Sequence, residues 1–365
     1  MYKFESVNDQ FEDFDRFVIN SPLGNFRQTS YWGQIKSLSG WIPKHYILKK
    51  DGVIKATALI QIRKMPYTPF SLMYCCRGPI VDWTDQESCK VFFSGLSDVV
   101  IRNHGVCLRI DPEPSVYLGQ QERTILENGF SKLKNRVTQW NRGLYTTRVF
   151  LNKSEDRLFY QMRRTHRQNI NKALKCGITI STRSYAQDKN EFFQLMKGLE
   201  NRRNSLIHSK KYYDKIFENI VEKDIGCFIK AIFKGKIISG LIIVVLRDKS
   251  WALFMANDYK YRKFMPNKLL LWEAIKIANS RGCKFLDLGS SQGTEKFDPE
   301  NDPLDLLKQA YRPQIINFPG YYDMKGLFYK GFRVAEDHIL PICLNRYYKI
   351  QRYMNINISK ASKNK

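Results

Sequence analysis

The stretch CFIKAIFKGKIISGLIIVVLRDKSWALFMA, Cys227 to Ala256, decides the fold. Its three apolar runs are rich in β-branched residues and predict three strands. Only a few polar residues separate the runs, so the strands are expected to form an antiparallel meander. The amphipathic stretch 267–280 predicts a helix that ends near Gly282, and the apolar run 283–288 predicts one more strand.

Helices are predicted in front of this meander. Ser154 is a suitable N-cap for a helix of about twenty residues that stops at Gly177, where glycine tolerates the left-handed C-cap conformation. Residues 189–203 and 210–222 also have helical patterns. The order of a helix pair, a meander, a helix and a strand is found in acyltransferase folds of the GNAT type, an analogy of element order only.

The first half of the chain repeats this order. Its patterns predict helices at 7–18, 29–38 and 86–103, and strands at 41–48, 53–64, 71–77 and 106–111. We therefore predict an α/β (α+β) fold of two tandem GNAT-like subdomains with a cleft between them. The predicted boundaries are 1–147 for the first subdomain and 148–317 for the second.

The charge balance restricts the partners. Lys and Arg number 60 against 35 Asp and Glu, a net charge of +25, which favours nucleic acid, a phosphorylated precursor or an anionic membrane surface. The alternative is a basic surface without a partner. The longest apolar run, Ile237 to Leu246, is too short to cross a bilayer, and the polar N-terminus does not resemble a signal peptide. A cytoplasmic protein is expected.

Cysteines and histidines give no pattern typical of a metal site. The eight cysteines contain no CxxC pair, and the five histidines form no HExxH motif. We expect buried, reduced cysteines and no metal.

Five short stretches stand out in order along the chain. They are FRQTSYWGQIK (Phe26 to Lys36), RGPIVD (Arg77 to Asp82), RIDPE (Arg109 to Glu113), LNKSEDRLFYQMRRTHRQNINKALKCGITI (Leu151 to Ile180) and MPNKLLLWEAIKIANSRGCKFLDLG (Met265 to Gly289). Together they resemble the motifs of the Fem family of peptidoglycan aminoacyltransferases. Each stretch is a weak signal alone, and the specificity comes from their shared order over most of the chain.

The resemblance implies a function and a set of partners. Fem enzymes move an amino acid from aminoacyl-tRNA to the stem peptide of a UDP- or lipid-linked peptidoglycan precursor, which builds the interpeptide bridge. They need no cofactor besides the tRNA-linked substrate. The resemblance also implies that residues 318–365 complete the first subdomain, and the short helices indicate a compact form without a helical arm. A monomer is expected, with peripheral contact to the inner membrane surface.

Two residues are candidates for catalysis. Lys308 stands where, by resemblance, a lysine stabilises the charge that develops on the aminoacyl ester, although its neighbours Leu307 and Ala310 depart from the family's pattern. The chemistry is consistent, because attack on an ester creates an oxyanion that a fixed cation stabilises. Asp111 ends a predicted buried strand; it either orients the attacking amine or holds the turn at Pro112.

A phosphate site is implied near Lys36. By resemblance, this lysine contacts the phosphates of the precursor together with an arginine that precedes a tyrosine in the second subdomain. Here Tyr212 and Tyr213 have no such arginine in front of them, and the nearby Arg202 and Arg203 are the candidate substitutes.

The segment from Leu151 to Lys215 is strongly basic. It has 15 Lys and Arg against 6 Asp and Glu, and the closely spaced Arg163, Arg164 and Arg167 repel each other unless an anion neutralises them. Binding of tRNA or of a precursor pyrophosphate is one interpretation. The other is a solvated helix face.

Two other functions remain open. The first is a GNAT-type N-acyltransferase that acts on a cell-surface polysaccharide precursor; acyl-CoA enzymes of this fold use a glycine-rich loop for the pyrophosphate, and the corresponding stretch Tyr261 to Leu270 has no glycine. The second is a basic nucleic-acid-binding protein without catalytic activity. No helix-turn-helix, zinc-finger or RNA-recognition signature supports it.

Overall fold

The computed structural model describes residues 1–133, 144–203, 206–291 and 303–339. In these ranges the chain forms two mixed β-sheets, each covered by helices. Each sheet contains one parallel strand pair among antiparallel neighbours. The predicted α/β architecture with two tandem GNAT-like subdomains is confirmed.

The first subdomain is built on a sheet that runs, in spatial order, β1-β2-β3-β4-β6-β15-β7, with the short β5 paired to β3. One strand of this sheet, β15, follows the whole second subdomain in the chain. The elements are β1 Tyr2–Val7, α1 Glu12–Asn20, α2 Ser30–Ser37, β2 Ile42–Lys50, β3 Val53–Lys64, β4 Ser71–Cys75, β5 Ile80–Val81, α3 Gln86–Arg102, β6 Gly105–Ile110, α4 Leu118–Glu127, β7 Phe130–Lys132, β15 Tyr322–Lys325 and α11 Tyr329–Val334.

The second subdomain is built on a sheet in the order β14-β8-β13-β12-β11-β10-β9. Its elements are β8 Tyr145–Phe150, α5 Glu155–Gln161, α6 Arg164–Lys175, β9 Thr179–Ser181, α7 Asp188–Arg203, α8 Lys210–Ile216, β10 Gly226–Phe233, β11 Lys236–Leu246, β12 Lys249–Asn257, α9 Pro266–Ser280, β13 Phe285–Ser291, α10 Pro303–Gln309 and β14 Gln314–Asn317. Strands β10 to β12 are the predicted meander.

The parallel strands β12 and β13 stay paired for only part of their length. Their register joins Lys249 to Phe285 and ends with Trp251 opposite Asp287. Beyond that point β12 continues to Asn257 beside β11, while β13 stays paired with β8 alone. The two strands therefore diverge, and their divergence opens a gap in the middle of the sheet.

The N-terminal segment differs from its prediction. A helix was expected over 7–18, whereas residues 2–7 form an edge strand and the helix covers Glu12–Asn20. Tyr2 and Phe4 lie on one face of this strand, and Phe4 stacks on Tyr46 with 5.6 Å between ring centres. Pairing with β2 over six residues outweighs the mixed polar pattern of the segment.

The long basic helix is interrupted. Instead of one helix from 154 to 177, α5 ends at Gln161 and α6 begins at Arg164, with Met162 and Arg163 in extended conformations. The break buries the Met162 side chain and lets the Arg163 amide donate a hydrogen bond to the Ala310 carbonyl at 3.0 Å. Tertiary contacts therefore override a sequence that contains no helix-breaking residue at this point.

The subdomains share an apolar core. Phe26 and Trp32 of the first subdomain pack with Trp251 and Phe285 of the second. All of β8 belongs to the second sheet, so that subdomain begins before the predicted boundary at residue 148. At the other end, the first sheet takes up β15, which lies after residue 317.

Candidate active site between two diverging strands

A pocket of about 550 Å³ occupies the gap where β12 and β13 diverge. Residues 252–255 of β12 and Leu288 of β13 form its walls, and the start of α9 and the end of α10 close its sides. We call it the β12–β13 pocket.

The described lining of the β12–β13 pocket carries four cations and no acid. The cations are Arg202, Arg262, Lys268 and Lys308. A neighbouring cavity of about 490 Å³, which we call the entrance of the pocket, shares Arg262 and Lys268 with it and adds Lys260 and Lys263. Burial lowers the pKa of Lys268, and its ammonium has no hydrogen bond or ion pair within the described ranges. The pocket and its entrance are therefore suited to an anionic ligand.

Two guanidinium groups lie against the ring of Tyr259 at this entrance. The guanidinium carbon of Arg262 is 3.9 Å from the ring centre and that of Arg202 is 4.9 Å away. Tyr259 is half exposed, so part of the ring is accessible. Exposed aromatic rings beside arginines are a common platform for nucleic-acid bases.

Lys308 is held at the inner wall of the pocket. Its residue is only 4% exposed, and Nζ donates a hydrogen bond to the carbonyl oxygen of Ser290 at 2.5 Å. Ser290 follows the turn in which Asp287 accepts a hydrogen bond from the Gly289 amide at 2.8 Å. Gly289 has a φ of +89°, a conformation that side-chain-bearing residues rarely adopt. The end of β13 thus fixes the position of the lysine.

Lys36 and Tyr212, which the sequence analysis assigns to one phosphate site, lie together across the cleft. Lys36 belongs to α2, and its Nζ is 5.8 Å from the centre of the Tyr212 ring. The His208 ring stacks on the Tyr212 ring, with 3.8 Å between ring centres. The Asn219 side chain also donates to the Tyr31 carbonyl of α2 at 3.0 Å, which anchors that helix to the second subdomain.

Phe254 separates the Lys36 region from the β12–β13 pocket. Its ring lines the pocket and also lies 5.4 Å from Tyr213 and 6.5 Å from Tyr212. Tyr213 is fully buried, and burial raises its pKa to about 12, so it stays a neutral phenol. Tyr212, Tyr213 and Phe254 therefore form one aromatic wall that runs from the Lys36 region to the β12–β13 pocket.

The remaining basic candidates lie apart from Lys36. Arg202 lines the β12–β13 pocket, and Arg203 is the last residue of α7, with a side chain outside the described residues. Arg163 and Arg164 are exposed at the start of α6. Arg167 is half-buried, and its Nη1 donates to the Tyr160 carbonyl at 2.8 Å. The roles assigned to them stay predictions.

Asp111 lies in the core of the first subdomain. It is 1% exposed, and its Oδ1 accepts a hydrogen bond from the Arg77 amide at 2.7 Å. Its Oδ2 pairs with the guanidinium of the same arginine at 3.4 Å. These contacts favour the second of its two predicted roles, that of holding a turn, although the turn is the one at Arg77. A role for Asp111 with the attacking amine stays a prediction.

Glu113, from the same RIDPE stretch, joins the two subdomains. Its Oε2 accepts a hydrogen bond from Nη2 of Arg148 at 2.7 Å, and Nε of that arginine donates to Asp287 at 3.0 Å. Asn25 donates to the other carboxylate oxygen of Glu113 at 2.6 Å. Burial alone would raise the pKa of Glu113, but Arg148 and Arg77 hold it below its ordinary value.

The sequence did not identify several residues of this site. Glu113 and Arg148 are single charged residues whose partners lie in the other subdomain, and no spacing relates them. Lys268 begins α9, and His166 begins α6, far apart in the sequence. The available signal is the run of cations in YRKFMPNK, Tyr261 to Lys268.

The fold and the pocket define a tandem GNAT-type protein. A model of the GNAT acetyltransferase domain matches residues 161–297, and a model of the FemAB family matches residues 10–228, more than half of the chain. The chain belongs to the FemAB family.

Named relatives agree with this assignment. The lipid II:glycine glycyltransferase of Staphylococcus aureus (strain MRSA252) is 21% identical over 382 residues, which cover 86% of this chain and 90% of the relative. The crystal structure of FemX superimposes with a TM-score of 0.81 at 19% identity, covering 91% of this chain and all of that one. A tandem GNAT protein from the clavulanic acid biosynthesis pathway has a TM-score of 0.52 at 8% identity, covering 89% and 98%. The structural likenesses concern the fold.

The described residues contain neither a candidate membrane span nor a candidate metal site. No helix there is both long and apolar enough to span a membrane. No three His, Cys, Asp or Glu side chains in those ranges are grouped as ligands of a metal ion. The expectation that the chain uses no metal stays a prediction.

Proposed function

We propose that this chain is an aminoacyltransferase that moves an amino acid from aminoacyl-tRNA to the stem peptide of a peptidoglycan precursor. The observation that carries the proposal is the β12–β13 pocket, which combines an acid-free cationic lining with a buried lysine at its inner wall. The relatives that are lipid II:glycine glycyltransferases support the class of acceptor.

The pocket suits the 3′ end of a charged tRNA in three ways. Lys260, Arg262 and Lys263 at the entrance would neutralise phosphates. The half-exposed ring of Tyr259, beside its arginines, would provide a stacking surface for a base. Apolar walls farther in, formed by residues such as Leu271 and Leu288, would exclude water from the ester.

The start of α9 is poorly suited to the pyrophosphate of coenzyme A. A pyrophosphate at a helix N-terminus is held by free backbone amides. Here Pro266 has no amide hydrogen, and the Lys268 amide is bonded to the Met265 carbonyl at 3.1 Å. Met265 has a φ of +60°, but it carries a side chain where a close backbone approach would need glycine. Side-chain cations, rather than backbone amides, are the anion-binding groups here.

Lys308 would act on the reacting ester. A neutral amine of the stem peptide attacks the ester carbonyl carbon, and the carbonyl oxygen takes a negative charge. The Lys308 ammonium, fixed by the Ser290 carbonyl, would stabilise that charge. The bond between the carbonyl carbon and the ribose oxygen then breaks, an amide forms, and the proton from the amine passes to the leaving ribose oxygen.

The precursor would bind across the cleft, with its phosphate at Lys36 and Tyr212. The wall formed by Tyr212, Tyr213 and Phe254 would bring the stem peptide from that site to the β12–β13 pocket. The acceptor and donor would then meet beside Lys308. This arrangement also implies a cytoplasmic enzyme that contacts the inner membrane surface when its acceptor is lipid-linked.

The test is a transfer assay on the purified protein. It would be incubated with each aminoacyl-tRNA and with UDP-linked or lipid-linked muropeptide, and mass spectrometry would detect one added amino acid. Lys308→Met should abolish transfer, whereas Lys284→Met should not, because Lys284 is an exposed lysine paired with Asp248 far from the pocket lining. Transfer from acyl-CoA, with none from any aminoacyl-tRNA, would favour the acyl-CoA alternative and overturn the proposal.

A further inference from the structure

His166 is a buried histidine whose ring nitrogens have no hydrogen-bond partner among the described residues. The residue lies in the first turn of α6, lines the β12–β13 pocket and is 8% exposed. Within the part of the chain that the structure describes, neither Nδ1 nor Nε2 has a hydrogen bond, and both are shut off from solvent. Buried polar atoms without partners are costly, and in a pocket wall a ligand is one way to satisfy them.

The ring is held by the same turn that follows Lys308. It packs edge-on against Tyr311, with 5.7 Å between ring centres, and the preceding Arg163 amide bonds to Ala310. The χ2 torsion of histidine is broad, and a turn about it would direct a ring nitrogen into the pocket that the residue lines. His166 and Lys308 thus approach the pocket from one rigid corner.

The charge state of the ring limits what it can bind. Burial, together with the nearby Lys268 and Arg163, lowers the pKa of His166 to about 4, so the ring is neutral at pH 7. A neutral imidazole offers one donor and one acceptor. Phosphates are better served by Lys268 and Arg262, and an ammonium group would be repelled by Lys268. The fitting ligand is a neutral group that both donates and accepts, which describes a hydroxyl.

We propose that His166 binds the ribose hydroxyl that lies beside the aminoacyl ester on the terminal nucleoside of the donor. This inference rests on the proposed function, because only an aminoacyl ester of a ribose has such a neighbouring hydroxyl. The hydrogen bond would fix the ribose ring and so place the ester carbonyl at Lys308. It would also discriminate against donors that have no vicinal hydroxyl, such as the thioester arm of an acyl-CoA.

The experiment uses aminoacylated RNA minihelices that end in adenosine, 2′-deoxyadenosine or 3′-deoxyadenosine. Both deoxy donors lack the hydroxyl beside the ester. Transfer to a muropeptide is measured as kcat/KM for the wild type, His166→Phe and His166→Gln. For the wild type we expect both deoxy donors to react about three- to tenfold more slowly than the ribose donor, the effect of one hydrogen bond between neutral groups.

The variants then separate recognition from a structural role. His166→Phe should lose about the same factor with the ribose donor and nothing further with the deoxy donors, because both changes remove one contact. His166→Gln keeps a donor and an acceptor and should recover part of the loss. Losses that multiply in His166→Phe, or an unchanged rate with the ribose donor, would overturn the inference while leaving the proposed function intact.

Failure of the proposed function has a different signature. If the wild type transfers nothing from any minihelix, both the proposed function and the role of His166 are overturned. Thermal unfolding of His166→Phe is the folding control. If that variant does not fold, the kcat/KM values of His166→Gln with the ribose and deoxy donors provide the test.

Discussion

Arg148 Nη2 lies 2.7 Å from Glu113 Oε2, and this contact ties the second subdomain to the first. The same guanidinium bonds to Asp287, so one cation neutralises two buried carboxylates from different parts of the chain. Asp287 in turn accepts from the Gly289 amide just before Ser290, the residue that holds Lys308. The join between the subdomains is therefore also the support of the candidate catalytic lysine.

Replacing Arg148 should destabilise the protein strongly. Arg148→Met would leave two buried carboxylates unpaired, and breaking a buried pair in this way costs about 3–5 kcal/mol. The free energy of unfolding is measured by urea titration. Arg281→Met is the matched control, because Arg281 pairs with the largely exposed Asp224 and should change stability by less than about 1 kcal/mol. Equal effects of the two substitutions would contradict the prediction.

Lys36→Met should weaken binding of the precursor without slowing the chemical step. Under the proposed function Lys36 contacts a phosphate, so KM for a phosphate-containing precursor should rise about tenfold, within the range for a charge-assisted hydrogen bond, with kcat little changed. A free stem peptide without phosphates should be used equally well by both proteins. The control Lys44→Met changes an exposed lysine of β2. A fall in kcat with either acceptor would instead place Lys36 near the reacting atoms.

Arg163 and Arg164 distinguish RNA binding from a solvated surface. If they contact phosphates, the double substitution to alanine should weaken binding of uncharged tRNA and flatten its salt dependence. Each lost contact lowers the slope of log K against log salt by about 0.7 to 0.9. The double alanine variant of Arg16 and Lys44, which are exposed on the first subdomain, should show the wild-type slope. An unchanged slope in both variants would leave this end of α6 as a solvated surface.

His45 should make the protein less stable in acid. Its ring packs against Phe11 and Phe14, and burial, with the neighbouring Lys44, lowers its pKa to about 4. The unfolded chain has a histidine pKa near 6.5, so it binds a proton first as the pH falls, and stability declines between pH 6.5 and pH 4. At pH 5 the loss from this residue is about 2 kcal/mol relative to pH 7.5.

The measurement is urea unfolding of the wild type and His45→Phe at pH 7.5 and pH 5. The phenylalanine variant keeps every other titrating group, including His166, so its loss on acidification should be smaller by about the amount assigned to His45. Parallel losses in the two proteins would show that His45 is not the group responsible.

The sequence predicted the second subdomain better than the first. Strands β10 to β12 are long, apolar and separated by short turns, so local pattern and tertiary role agree. The edge strand β1 has polar residues and only one neighbour, and it was assigned to no strand. The break between α5 and α6 depends on a hydrogen bond from Arg163 to Ala310, a contact that no local pattern reveals.

The candidate site shows the same limit. Motif resemblance singled out Lys308, Lys36 and Tyr212, whereas the pairing of Glu113 with Arg148 arises only from the packing of two subdomains. Asp111 and Glu113 are two residues apart in one motif, yet one is paired inside its own subdomain and the other crosses to the next. Sequence gives the residue types, and the surroundings of each carboxylate decide its role.

The position of β15 has a consequence for synthesis on the ribosome. This strand lies between β6 and β7 and pairs with both, yet the whole second subdomain precedes it in the chain. In a nascent chain the first sheet therefore lacks the strand between β6 and β7. The facing edges of these two strands stay unpaired until residues 322–325 leave the exit tunnel. Open edges of this kind invite wrong pairing. Translation that stalls before that point should release a product that aggregates or is retained by chaperones.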